Sequence, residues 1–187
     1  MKVGIIMKIA GLGDSNTWGF PFGPSYSWLY ALGELLSCRV MNHGVNGECL
    51  ADMRARVPEV IQDRPDLVIV TGGTNDAFEG ITVEQAGKEL TAIVEELQAK
   101  TPAAVVIGLP IPLDYQAEEL LLRQYREGMR IFAAERNLGV IDFYSALLDP
   151  QAEGILSRYN ADGVHPNREG FKRMAEEAYA LLKEWKK

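Results

Sequence analysis

The chain has 187 residues, 47% of them hydrophobic, and no internal stretch that reads as a linker, so a single domain spanning residues 1–187 is expected. A formal net charge of -7 and the lack of any Lys/Arg run argue against a nucleic acid or an anionic membrane surface as partner. The apolar run before Lys8 is too short for a secretory signal, no run approaches a membrane span, and Cys38 and Cys49 are too few for a disulfide framework, so a cytoplasmic protein without an integral membrane segment is expected.

Apolar runs of strand length alternate with segments of helical period, the pattern of βαβ units around a buried parallel sheet. Strands are predicted over residues 3–11, 39–42, 66–71, 103–109 and 140–143. Met7-Lys8-Ile9 reads as a second possible start, which would make the residues before it an extension of the first strand. Residues 25–36 set Trp28, Leu29, Leu32 and Leu35 on one helical face, with Ser25 as N-cap. Residues 51–62 are helical in pattern but split by Pro58. Thr82-Val83-Glu84-Gln85 is a capping pattern, and Leu90, Ile93, Val94 and Leu97 keep the period until Thr101-Pro102 stops it. Residues 117–136 form a long polar-faced helix, and residues 167–186 the last one. Right-handed crossovers then imply an α/β fold, a three-layer α/β/α sandwich on a flavodoxin-like five-stranded parallel sheet of order 2-1-3-4-5.

The first strand stops abruptly at Gly13-Asp14-Ser15, which places Ser15 at the carboxyl edge of the sheet, where open α/β folds bind ligands. Three further polar turns share that edge: Asn42 to Gly47, Gly72-Gly73-Thr74-Asn75-Asp76, and Asp162-Gly163-Val164-His165. Asp162 precedes His165 by three residues, close enough to accept the Nδ1 proton and leave Nε2 free for Ser15, the division of labour of a Ser-His-Asp triad. With the N–H of Ser15, a backbone N–H at Gly47 and the side-chain amide of Asn75 would complete a three-donor oxyanion hole. Gly44, Gly72 and Gly73 are read as turn residues and Asp14 as a structural acceptor of neighbouring N–H groups.

These four blocks resemble, in order and over essentially the whole chain, those of the SGNH or GDSL hydrolase superfamily, named for a Ser, a Gly, an Asn and a His that match Ser15, Gly47, Asn75 and His165. The resemblance implies the three-layer fold and serine hydrolysis of esters or thioesters through an acyl-enzyme, with no metal and no cofactor. Two features set this chain apart. Asn16 replaces the more usual aliphatic residue after the serine, and the Gly-x-Ser-x-Gly elbow of ordinary α/β-hydrolases is absent. Trp18, Phe20, Phe22 and Tyr26 follow the nucleophile closely and are candidate acyl-pocket residues, or else loop anchors.

The expected substrate is a small-molecule ester or thioester of a small or medium acyl group, with transfer to an alcohol on the same site as the alternative. Three readings from other classes compete. A non-catalytic nucleotide- or carbohydrate-binding module is one; for nucleotide it would use Gly11-Leu12-Gly13-Asp14-Ser15-Asn16, but the third glycine of the dinucleotide fingerprint is missing. A catalytically dead binding protein on the same fold is another, and the intact set of four blocks argues against it. Cysteine chemistry would use Cys49 with His43 and Asp52.

Overall fold

A computed structural model describes residues 7–184 of the chain. Five strands form one parallel sheet of order β2-β1-β3-β4-β5: β1 Lys8–Gly13, β2 Arg39–Gly44, β3 Leu67–Thr71, β4 Ala104–Gly108 and β5 Gly139–Ile141. The order is the predicted one. Helices flank the sheet, and the alternation of strand side chains decides which helix covers which face.

Ala10, Leu12, Val68, Val70, Val105 and Ile107 point to one face. They are buried there with α3 (Leu50–Ala55), α4 (Val57–Gln62), α5 (Thr74–Phe78), α6 (Val83–Lys100) and α7 (Gln116–Glu135). Their sequence neighbours Ile9, Leu67, Ile69, Val106 and Ile141 point to the other face, covered by α2 (Trp28–Leu36), α8 (Phe143–Leu147) and α9 (Arg168–Leu182). All five residues of β3 are buried, as a central strand covered on both faces requires.

Register sets up the site. Gly13 pairs level with Gly44 on one side and with Thr71 on the other, so β1, β2 and β3 end together. The strand order reverses direction between β1 and β3, the crevice where doubly wound sheets bind ligands.

Several elements depart from expectation for identifiable reasons. The predicted first strand begins partly outside the described residues, and β1 runs on to Gly13, two residues beyond the predicted end. Ser25 caps nothing: Pro24–Tyr26 is a separate 3₁₀ turn, and Ser27 caps α2 by accepting from the N–H of Tyr30. With the helix starting at Trp28, its buried stripe is Trp28, Leu29, Leu32 and Gly33, and Leu35 falls off it, 48% exposed. Pro58 does not break a helix but begins α4 at its second position, where a missing N–H loses no intrahelical bond; the break is at Arg56. The capping box at Thr82 and Gln85 is present. The predicted last helix, α9, starts after Asn167, whose Oδ1 accepts from the N–H of Glu169 and Gly170, and its final predicted residues lie partly outside the described ones. Two short helices had no periodic signal: α5 and the four-residue α1 (Ser15–Trp18).

Candidate active site

Ser15 is the first residue of α1, at the carboxyl end of β1, and is 6% exposed. Asp14 caps that helix: its Oδ1 accepts from the N–H of Asn16 at 2.9 Å. The turn leaves the Ser15 Oγ 3.0 Å from Nε2 of His165, 150 residues away in sequence. On the far side of the ring, Nδ1 lies 2.8 Å from Asp162 Oδ2. The other Asp162 oxygen accepts from the N–H of Val164 at 3.0 Å and of His165 at 2.8 Å, so the carboxylate is held in place by the turn that carries the imidazole. With the carboxylate accepting at Nδ1, the proton sits there and the Nε2 lone pair faces the hydroxyl.

Gly47 has φ +85°, and a Cβ added there would meet no atom within 4 Å. That left-handed conformation favours glycine, and the position faces open space. Asn75, the second residue of α5, donates its Nδ2 to the Glu48 carbonyl at 2.8 Å, which joins the third block to the second. The N–H groups of Ser15 and Gly47 have no acceptor among the described residues. Gly44 is a close-approach residue: a Cβ there would fall 2.2 Å from the Trp18 nitrogen, so the end of β2 lies directly against α1.

The four aromatic candidates separate. Phe20 stacks on the His165 ring, with centroids 4.7 Å apart. Phe22 and Tyr26 meet each other edge-on at 6.3 Å and share the Arg168 guanidinium, 5.1 Å and 4.3 Å from the two rings. Trp18 is half-buried, and its ring approaches Gly23 within the same loop. Only Phe20 of the four touches the Ser15–His165–Asp162 array among these ring contacts.

Partial burial pushes the Asp162 carboxyl up, but hydrogen bonds from the His165 ring and from two backbone N–H groups outweigh it and leave the group below its ordinary value. Asp14 behaves oppositely. Complete burial, reinforced by the charge of Asp76, pushes it up to about 7 in spite of its bonds to Asn16 and Thr74. The surroundings of Cys49 disfavour the thiolate that cysteine chemistry needs. Burial and then the charges of Asp76 and Asp52 push the Cys49 thiol up to about 11, and His43 is paired with Asp63 at 2.7 Å. Asn16 is buried and its Oδ1 has no hydrogen-bond partner among the described residues; nothing in the structure explains a polar residue there.

Three residues around the site had no role assigned from the sequence. Asp76 accepts from the N–H of Leu50 at 3.1 Å and 3.3 Å, tying α5 to α3. Glu48 is gripped by Arg56, whose Nε lies 2.8 Å and 2.9 Å from its two oxygens and whose Nη2 also donates to the His43 carbonyl at 3.0 Å. The loop carrying Gly47 is therefore held through both the Glu48 side chain and its carbonyl. Among the described residues no group of three or more His, Cys, Asp or Glu is placed to hold a metal ion, and no helix is long and apolar enough to cross a membrane. An apolar cavity of about 420 Å³ between α6 and α7, lined by Leu90, Tyr125, Met129 and Phe132, shares no residue with this array.

The class to which the chain belongs is that of the hydrolases that act on carboxylic esters. The sequence profile of the GDSL-like Lipase/Acylhydrolase family matches residues 12–173, and the chain belongs to that family. Among solved structures it is similar to a lipolytic protein of the G-D-S-L family from Desulfitobacterium hafniense DCB-2, at 28% identity and a TM-score of 0.88, covering 94% of this chain and 99% of that one. A second G-D-S-L family structure, from Veillonella parvula DSM 2008, matches at 26% identity and a TM-score of 0.86, over 96% and 100% of the two chains. Esterase TesA of Pseudomonas aeruginosa is 23% identical over 178 residues, 92% of this chain and 86% of that protein.

Proposed function

We propose that the protein hydrolyses esters or thioesters of small or medium acyl groups through an acyl-serine intermediate, with Ser15 as nucleophile, His165 as base and Asp162 orienting it. The observation that carries this reading is the relay of 3.0 Å and 2.8 Å contacts from Ser15 Oγ through the imidazole to Asp162. As Oγ attacks the carbonyl carbon, its proton passes to Nε2. The negative charge gathers on the carbonyl oxygen, where the N–H groups of Ser15 and Gly47 and the second Nδ2 hydrogen of Asn75 are assigned as donors. Collapse expels the alcohol or thiol with the proton from Nε2. Water then attacks the acyl-serine with the same imidazole as base, and Ser15 leaves carrying the returned proton.

An exposed apolar ring beside the imidazole supports an acyl ligand over a highly polar one: Phe20 lies against His165 and is 37% exposed. An apolar side chain exposed beside a polar array is the ordinary makeup of a ligand site.

The test is fluorophosphonate labelling followed by peptide mapping, combined with a p-nitrophenyl ester chain-length series with and without an alcohol acceptor. Label is expected on Ser15, and Ser15→Ala should remove both label and hydrolysis while keeping its circular dichroism. Label on another residue would overturn the assignment. Ester formed faster than acid in the presence of the alcohol would make the enzyme an acyltransferase.

A further inference from the structure

Asp114 lies outside all four blocks, in the loop between β4 and α7, yet its contacts converge on the turn that carries Asp162 and His165. Its Oδ1 accepts from the N–H of Ile155 at 2.9 Å, and its Oδ2 accepts from Nδ2 of Asn160 at 2.5 Å. The amide so oriented turns its own Oδ1 to the N–H of Gly163, 2.7 Å away. The backbone closes the ring, because the N–H of Asp114 donates to the Gly163 carbonyl at 2.9 Å.

Gly163 stands between Asp162 and Val164 with φ +88°, a left-handed conformation that favours glycine and turns the chain between the carboxylate and the imidazole. A Cβ at Gly163 would fall 3.2 Å from Asp114 Cβ and 3.3 Å from the Tyr115 ring, and one at Gly154 would fall 2.4 Å from Asp114 Oδ1. The two segments are thus in direct contact. The turn has some support of its own: Ala161 N–H donates to the His165 carbonyl at 3.0 Å, and Asn160 bridges to Pro166. Those bonds close the hairpin on itself without attaching it to the sheet. Asp114 attaches it to the loop that follows β4.

We propose that Asp114 is a positioning residue for the Asp162–His165 pair, acting through Asn160 and Gly163 to hold the imidazole against Ser15. This rests on the serine-hydrolase reading above. A hydrogen bond of 3.0 Å between Oγ and Nε2 survives only if the hairpin is held to well under an ångström, and small misplacements of reacting groups are costly in rate. The loss should fall on the rate of attack, because Asp114 touches neither nucleophile nor oxyanion donors.

The experiment is a double-mutant cycle of Asp114→Ala with Asp162→Asn, read as kcat and KM on p-nitrophenyl acetate and as the rate of fluorophosphonate labelling of Ser15. Asp114→Ala alone should lower kcat and labelling by about tenfold or more with KM within about twofold. On the Asp162→Asn background, where the oriented pair is already broken, it should cost less than about threefold. Asp114→Asn keeps an oxygen for Ile155 but sets an NH₂ group against that of Asn160, so it loses the link to the hairpin while sparing the other. It should show a smaller loss with the same pattern, and it replaces the alanine variant in the cycle should that one fail to fold. Equal losses on both backgrounds, or a lowered melting temperature with unchanged kcat, would make Asp114 a purely structural residue. Failure of Ser15 to take the label in the unmodified enzyme would instead strike the serine-hydrolase reading itself.

Discussion

Asn75→Ala is the most informative perturbation, because the structure divides its effect between two measurable quantities. One Nδ2 hydrogen is bound to the Glu48 carbonyl at 2.8 Å, and the other is the donor assigned to the oxyanion. Loss of a single oxyanion donor costs about 2.7–4 kcal/mol in the transition state, so kcat should fall by roughly 10²- to 10³-fold. The ground-state carbonyl is a weaker acceptor than the oxyanion, so KM should change much less. Loss of the Glu48 bond leaves a part-buried carbonyl short of a partner, a stability cost of about 1 kcal/mol. For a chain of this size that lowers Tm by about 2–4 °C. Steady-state kinetics on p-nitrophenyl acetate, with thermal melting followed by circular dichroism, separates the two effects. A variant that keeps kcat and loses only KM would show that Asn75 binds substrate or closes the turn, and the oxyanion assignment would be wrong.

Three other outcomes follow from the geometry. Asp14, pushed up to about 7 by burial, holds its proton in the folded state from an ordinary value near 3.8, so its contribution is full below about pH 4 and lost as pH rises through 7. The upper bound is about 4 kcal/mol, and urea unfolding at pH 5 and pH 8 should show a smaller pH difference for Asp14→Asn than for the native chain; equal differences would refute the assignment. Phe20→Ala, which removes the ring on His165, should alter relative kcat/KM among acyl chain lengths by about 1–3 kcal/mol, whereas Phe22→Ala should leave the profile unchanged. Gly47→Ala meets no atom within 4 Å and keeps the backbone N–H but must hold φ +85°, a strain of about 1–2 kcal/mol; Tm should drop by a few degrees in thermal melting, and an unchanged Tm would show that the loop relaxes away from that conformation.

The sequence by itself determined the layered architecture and the order of the four polar blocks along the chain, because these depend on local signals; the strand order followed only as the simplest topology that right-handed crossovers allow. Apolar runs bounded by glycine mark buried strands, and a strand that stops at Gly13-Asp14-Ser15 sends its next residues to the sheet edge whatever the rest of the chain does. The capping box at Thr82 is equally local. What only the tertiary structure decided are pairings between distant groups. The level ending of β1, β2 and β3 at Gly13, Gly44 and Thr71 is a matter of register, and it brings the Glu48 carbonyl to Asn75 and Asp76 to Leu50. No periodicity marks Glu48, Asp76 or Asp114, since an acceptor whose donor lies 26 to 46 residues away looks in sequence like any surface carboxylate or loop carbonyl. The aromatic loop makes the same point: Phe20 and Phe22 are two residues apart and chemically identical, and the course of the backbone after α1 turns one onto His165 and the other onto Arg168. Side-chain type and spacing state what a segment can do; which partner it meets depends on the packing of the whole sheet.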